Sequence, residues 1–122
     1  MTTVLIADDE PSLRLLVSAT IASDEYEVVE AVDGDEAWKL IRRHRPSVVL
    51  LDVQMPGRTG LDLTRAIRED PELTRTCVVL LTSKAQQADV EAGLAAGADR
   101  YLTKPFSPLE LLRVVEQAVA AA

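Results

Sequence analysis

Aromatic residues are scarce in this chain: one tryptophan, two tyrosines and one phenylalanine among 122 residues. Its core must therefore be built from aliphatic side chains. The single cysteine excludes an internal disulfide framework and a cysteine-based zinc cage. No apolar run approaches the roughly 18 residues of a membrane span, so no membrane partner is expected. The N-terminus, MTTVLIADDE, has no basic region and turns acidic after a short apolar run, which argues against a signal peptide. The expected compartment is the cytoplasm. Positive charge is in deficit, with 13 Lys and Arg against 20 Asp and Glu and a net charge of −7. That leaves no broad basic surface for sequence-independent nucleic-acid binding, and no direct binding of nucleic acid is expected. A bound cation or a positively charged partner suits this balance better. What is present is 48% hydrophobic and 27% charged residues, the balance of a globular protein. The length fits one domain over residues 1–122, which can bury roughly two thirds of its unfolded surface.

Short apolar runs recur at wide spacing: Val4 to Ala7, Val48 to Leu51 and Val78 to Leu81. They are rich in β-branched residues or leucine and do not alternate, as expected of strands covered on both faces. Two weaker strands fit Tyr26 to Ala31 and Arg100 to Thr103. Helical stripes lie between them. Pro11 suits a first turn, followed by Leu13, Leu16, Val17, Thr20 and Ile21. Asp33-Gly34 marks a turn before Ala37, Leu40 and Ile41, in a helix that stops before Pro46. Gly60 precedes a third helix carrying Leu63, Ala66 and Ile67. A fourth runs from about Gln86 to Ala96 and ends at Gly97, and a fifth starts near Pro108. This strict β-α alternation implies an α/β fold, a parallel sheet between two helical layers. For five strands the flavodoxin-like, doubly wound order 2-1-3-4-5 is the first expectation.

The residues just past the buried strands carry the chemistry. Asp8-Asp9 follows the first strand, Asp52 the third, Thr82-Ser83 the fourth and Lys104-Pro105 the fifth. In an open α/β sheet all of them converge on the carboxyl edge, where ligands bind. Three carboxylates held together repel, each pair at 4 Å by about 1 to 4 kcal/mol. A hard divalent cation relieves that conflict, and few protein ligands with no soft donor suit Mg²⁺. A carboxylate beside Mg²⁺ and a lysine can attack phosphorus and hold the group as an acyl phosphate.

Five segments, IADDEPSLR, DGDEAW, VVLLDVQMPGRTGLDL, VVLLTSKA and GADRYLTKPF, stand in order across essentially the whole chain. Together they resemble the receiver domain of bacterial two-component response regulators, of the chemotaxis-regulator type. The resemblance implies that Asp52 accepts phosphate from a phosphohistidine of a histidine kinase or histidine phosphotransfer protein. It implies Mg²⁺, with Mn²⁺ able to substitute, held by Asp9, by Asp52, by Asp8 largely through water and by the main-chain carbonyl of Gln54. Thr82 would move to the phosphoryl group, Lys104 would pair with Asp52 and then with a phosphoryl oxygen, and Tyr101 would turn inward as the switch aromatic. The Lys104-Pro105 peptide is expected to be cis. The face of the fourth helix, fifth strand and fifth helix would signal to an effector, and slow autodephosphorylation would reset it. On this reading the domain is a phosphoacceptor that takes part in catalysis, not a stand-alone enzyme.

Other residues read more plainly. Trp38 and Cys77 are expected to be packing residues, and Arg42-Arg43-His44-Arg45 a solvated helix end. Gln54, Ser83 and Lys84 lie where the family tunes acyl-phosphate lifetime. Arg58-Thr59 replaces a commoner Met-Asp pair, and Arg100 stands where one transcription-factor branch has an acid in its dimer interface. Two rival functions remain at this stage: a receiver-like module that works unphosphorylated, and a Mg²⁺-dependent phosphohydrolase. The second lacks a carboxylate two residues past Asp52, where Gln54 stands. A nucleotide-binding domain is weaker still, because GxGxxG and GxxxxGK[ST] are both absent.

Overall fold

The computed structural model describes residues 1–83 and 87–121. Strands and helices alternate: β1 (Thr2–Ala7), α1 (Pro11–Ile21), β2 (Tyr26–Ala31), α2 (Gly34–His44), β3 (Val48–Asp52), α3 (Gly60–Glu69), β4 (Cys77–Thr82), α4 (Gln87–Ala96), β5 (Arg100–Thr103) and α5 (Pro108–Ala121). A 3-10 turn, Pro71–Leu73, precedes β4. All strand pairs are parallel, in the order β2-β1-β3-β4-β5. The expected flavodoxin-like architecture is therefore the one observed. Three strands are longer than their apolar runs: β1 starts at Thr2, β3 takes in Asp52, and β4 extends from Cys77 to Thr82. Gln86, expected to open the fourth helix, lies outside the described residues.

The apolar runs are unbroken because both sheet faces are covered. Every residue of β3 and β4 is buried. Leu5, Val49, Leu51, Val78 and Leu80 face one way, against Ala37 and Ile41 of α2 and Leu63 and Ile67 of α3. Val4, Ile6, Val48, Leu50, Val79 and Leu81 face the other, against Val17 and Ile21 of α1 and Leu111 and Val115 of α5. Each fully buried side chain of this size contributes about 1.5–3 kcal/mol. Trp38 packs half-buried against the first cluster, and Cys77 belongs to the second. Val90 of α4 is also buried. Gly93 lets this helix lie close, since a Cβ there would stand 2.1 Å from Leu80 Cδ1.

The helix starts are fixed locally. Asp33, read from sequence as a turn residue, caps α2 by accepting from the Glu36 N–H at 2.8 Å. Asp35 and Glu36 open that helix while Arg42, Arg43 and His44 close it, matching its dipole at both ends. Thr59 and Asp62 form a reciprocal capping box at α3, with bonds of 3.2 and 3.0 Å. Arg68 ties the far end of α3 to three neighbours. It donates to the carbonyls of Gly97 and Thr76 and pairs with Asp99. Among the described residues no helix is long and apolar enough to cross a membrane.

Candidate functional site

Strand register builds the site. Ala7 pairs with Leu51, so the next residues, Asp8 just past β1 and Asp52 at the end of β3, stand side by side. Adjacent strands are about 4.8 Å apart, which forces the two carboxyls into one neighbourhood. Thr82 pairs with Thr103, so Lys104 follows one step beyond β5. Its backbone lies two strand spacings, about 10 Å, from β3. The long lysine side chain crosses that gap. Its Nζ donates to Asp8 Oδ2 at 2.8 Å and stands 3.5 Å from Asp52 Oδ2.

Asp8 is fully buried, and each of its two oxygens has a partner. Oδ1 accepts from the Glu10 N–H at 2.9 Å, and Oδ2 takes the lysine. Asp52 is 6% exposed, and its Oδ1 accepts from the Gln54 N–H at 3.3 Å. Asp9 is exposed at the rim. One carboxylate oxygen from each of Asp8, Asp9 and Asp52 lies within 4.8 Å of the others. Burial, and then the charge of Asp8, push the Asp52 carboxyl up to about 6, although Lys104 and the Gln54 N–H pull the other way. Burial alone would lower Lys104. The bond to Asp8 and the charges of Asp52, Asp8 and Glu10 outweigh it and hold the ammonium above its ordinary value. One lysine therefore balances three acids only in part. An all-oxygen donor set with residual negative charge and an exposed rim fits a hard divalent cation such as Mg²⁺.

The other expected residues occupy distinct places. Thr82 ends β4 and is 1% exposed, and its carbonyl accepts from the Lys104 N–H at 2.5 Å. Ser83 is half-buried beside it, and the Gln54 side chain is exposed. The Lys104-Pro105 peptide is cis. Tyr101 sits outward on β5, 46% exposed. Lys84 lies outside the described residues. His44 and Cys77 belong to the opposite ends of their elements, at the amino edge of the sheet.

One contributor, Arg14, was not singled out in the sequence, and two glycines were read there only as markers of helix starts. Arg14 donates to the Asp8 carbonyl at 2.8 Å and lies 3.4 Å from Glu30. Its place one turn after Glu10-Pro11 was the available signal. A Cβ on Gly60 would meet the Asp52 carbonyl at 2.5 Å, so α3 begins directly against the acid's backbone. Gly34 donates its N–H to the Pro56 carbonyl at 3.0 Å, joining α2 to the loop after Asp52.

The comparisons agree with this geometry. The family model described as response regulator receiver domain matches residues 4–116. The probable transcriptional regulatory protein TcrX of Mycobacterium tuberculosis is 45% identical over 111 residues, covering 90% of this chain and 46% of that protein. The chemotaxis response regulator CheY4 of Vibrio cholerae superposes with a TM-score of 0.89 at 36% identity, covering 97% of this chain and 98% of the other. The receiver domain of sensor histidine kinase PA1611 from Pseudomonas aeruginosa has a magnesium ion coordinated in its active site cleft. It superposes with a TM-score of 0.87 at 32% identity and 98% coverage of both chains. The chain spans about half the length of the curated relatives it matches. From its sheet order, its acidic edge and these matches, the chain belongs to the receiver domain family of two-component response regulators.

Proposed function

We propose that residues 1–122 form one receiver domain that accepts a phosphoryl group on Asp52 from a phosphohistidine of a sensor kinase or histidine phosphotransfer protein. One observation carries the reading: Asp8, Asp9 and Asp52 offer oxygens within 4.8 Å of one another, with the Lys104 ammonium against two of them. Asp9, Asp52, Asp8 and the Gln54 carbonyl would hold Mg²⁺ or Mn²⁺. Such an ion supplies positive charge that lets acids and phosphoryl oxygens share a small space.

The chain's own residues do the rest. With the carboxyl at about 6, most of Asp52 is ionised at pH 7 even without a cation. Its carboxylate oxygen forms the new P–O bond as the N–P bond of the donor breaks, and the imidazole leaves with the electron pair. Lys104 and the Thr82 hydroxyl stabilise the phosphoryl oxygens. Water later attacks phosphorus and returns free Asp52 and inorganic phosphate, at a rate set in part by Gln54, Ser83 and Lys84. Thr82 and Tyr101 couple the event to the α4-β5-α5 face, which meets an effector. The test is intact mass after incubation with Mg²⁺ and a small acyl-phosphate donor. One added phosphoryl group, absent from metal-free protein and from Asp52→Asn, supports the reading. A folded protein that gains none from this donor or from a phosphohistidine donor sinks it.

A further inference from the structure

The segment 53–59 follows Asp52 directly and carries Gln54, whose N–H donates to Asp52. Its ends are tied to the sheet and to α3. The Val53 N–H donates to the Leu81 carbonyl at 3.2 Å, and the Gly60 N–H to the Val53 carbonyl at 3.1 Å. Its outer bend has a separate attachment to α2. Besides the Gly34–Pro56 bond, a Cβ on Gly34 would lie 1.7 Å from the Arg58 carbonyl oxygen. Gly57 has φ +76, and a Cβ there would lie 2.6 Å from Asp35 Oδ2. The two backbones interlock at van der Waals distance. Arg58 then reaches back along α2. Its Cζ lies 5.4 Å from the centroid of the Trp38 ring, and its Nε 3.8 Å from Asp35 Oδ1.

We propose that Arg58 is a positioning residue: stacked on Trp38 and paired with Asp35, it clasps the outer bend of 53–59 to α2. It thereby holds the Gln54 amide and carbonyl at the acidic site. The consequence for metal binding rests on the function proposed above; the clasp does not. The next residue, Thr59, caps α3. The ion pair is exposed at 45% and 66% and is weak by itself. The ring contact and the backbone interlock carry the attachment.

Charge and position make opposite predictions for Arg58→Gln. Removing a positive charge from the domain strengthens Mg²⁺ binding, if it changes it at all, whereas loosening the loop weakens it. Calorimetric Mg²⁺ titration should show affinity lowered about two- to fivefold, the range a cation–π contact supplies. Trp38→Leu, which changes no charge, should weaken it similarly. In metal-free protein, hydrogen exchange of the 53–59 amides should quicken by about the same factor in both variants. Their melting temperatures serve as the fold control. Unchanged exchange, or Mg²⁺ binding that is unchanged or tighter in Arg58→Gln, overturns the proposal. If the parent protein binds no Mg²⁺, the proposed metal site falls, and the exchange measurement alone decides the clasp.

Discussion

Lys104 and Asp8 are joined by a 2.8 Å bond across the whole width between β5 and β1, with Asp52 3.5 Å from the same ammonium. The lysine therefore occupies, in the metal-free protein, part of the electrostatic role that a divalent cation would fill. Breaking such a pair leaves a fully buried carboxylate uncompensated.

Lys104→Met should lower metal-free stability at pH 7.5 by about 2 to 4 kcal/mol. It should also tighten Mg²⁺ binding, because a competing cation has gone. Urea unfolding in chelator and in millimolar Mg²⁺ checks both points. The deficit seen in chelator should shrink with Mg²⁺, by binding linkage. A deficit indifferent to the ion counts against this account.

Asp52→Asn should do the opposite at neutral pH. The folded-state carboxyl lies at about 6, above its unfolded value, so the native state holds this proton more tightly. That contribution is fully present below about pH 4 and is lost as pH rises through 6. Asparagine carries no charge, and its Oδ1 can still accept from the Gln54 N–H. In chelator the variant should be more stable than the parent above pH 6, by up to about 3 kcal/mol. The gap should close toward pH 4. Melting curves between pH 4 and 8 measure it, and a gap independent of pH would refute the argument.

Cys77 should be inert. Burial, then the neighbouring Asp99 carboxylate, push its thiol up to about 11. At pH 8 roughly one molecule in a thousand carries the thiolate, the reactive form. Alkylation of the native protein should be orders of magnitude slower than of urea-unfolded protein. Since the folded pKa is raised, the associated stability is intact below about pH 8.5 and lost between there and 11. Rates of iodoacetamide labelling in the two states provide the comparison.

Gly34→Ala should cost more than loss of a helix cap. Its Cβ would stand 1.7 Å from the Arg58 carbonyl, a backbone atom that cannot swing aside. We expect a loss above about 2 kcal/mol, against about 1 kcal/mol for Thr59→Ala, which removes half of the α3 capping box. Denaturant midpoints for the two variants rank them.

Much of this molecule could be read in advance, for identifiable reasons. The strands Tyr26–Ala31 and Arg100–Thr103 fall at their expected limits because turn residues bound them on both sides. Asp8, Asp52, Thr82 and Lys104 share one edge because parallel strands must all end there. The 3-10 turn Pro71–Leu73 went unseen because three residues carry no periodicity. The bonds of Arg68 to Gly97, Thr76 and Asp99 were illegible because they join partners up to 31 residues apart. The clasp at Arg58 was hidden likewise, since nothing local places α2 against the β3-α3 loop.

The four strands that feed the acidic edge do not contribute equally to its charge balance. Asp8 and Asp52 become neighbours when β1 pairs with β3, yet the lysine that reconciles them arrives only with β5, at the far margin of the sheet. A sheet without β5 would leave that repulsion unrelieved, whereas the finished one offsets it in part. This penalises a sheet without β5 and so adds to the cooperativity of the domain. Because Asp8, Asp9 and Asp52 all come from the ends of β1 and β3, a divalent cation would relieve the same repulsion whether or not β5 has docked.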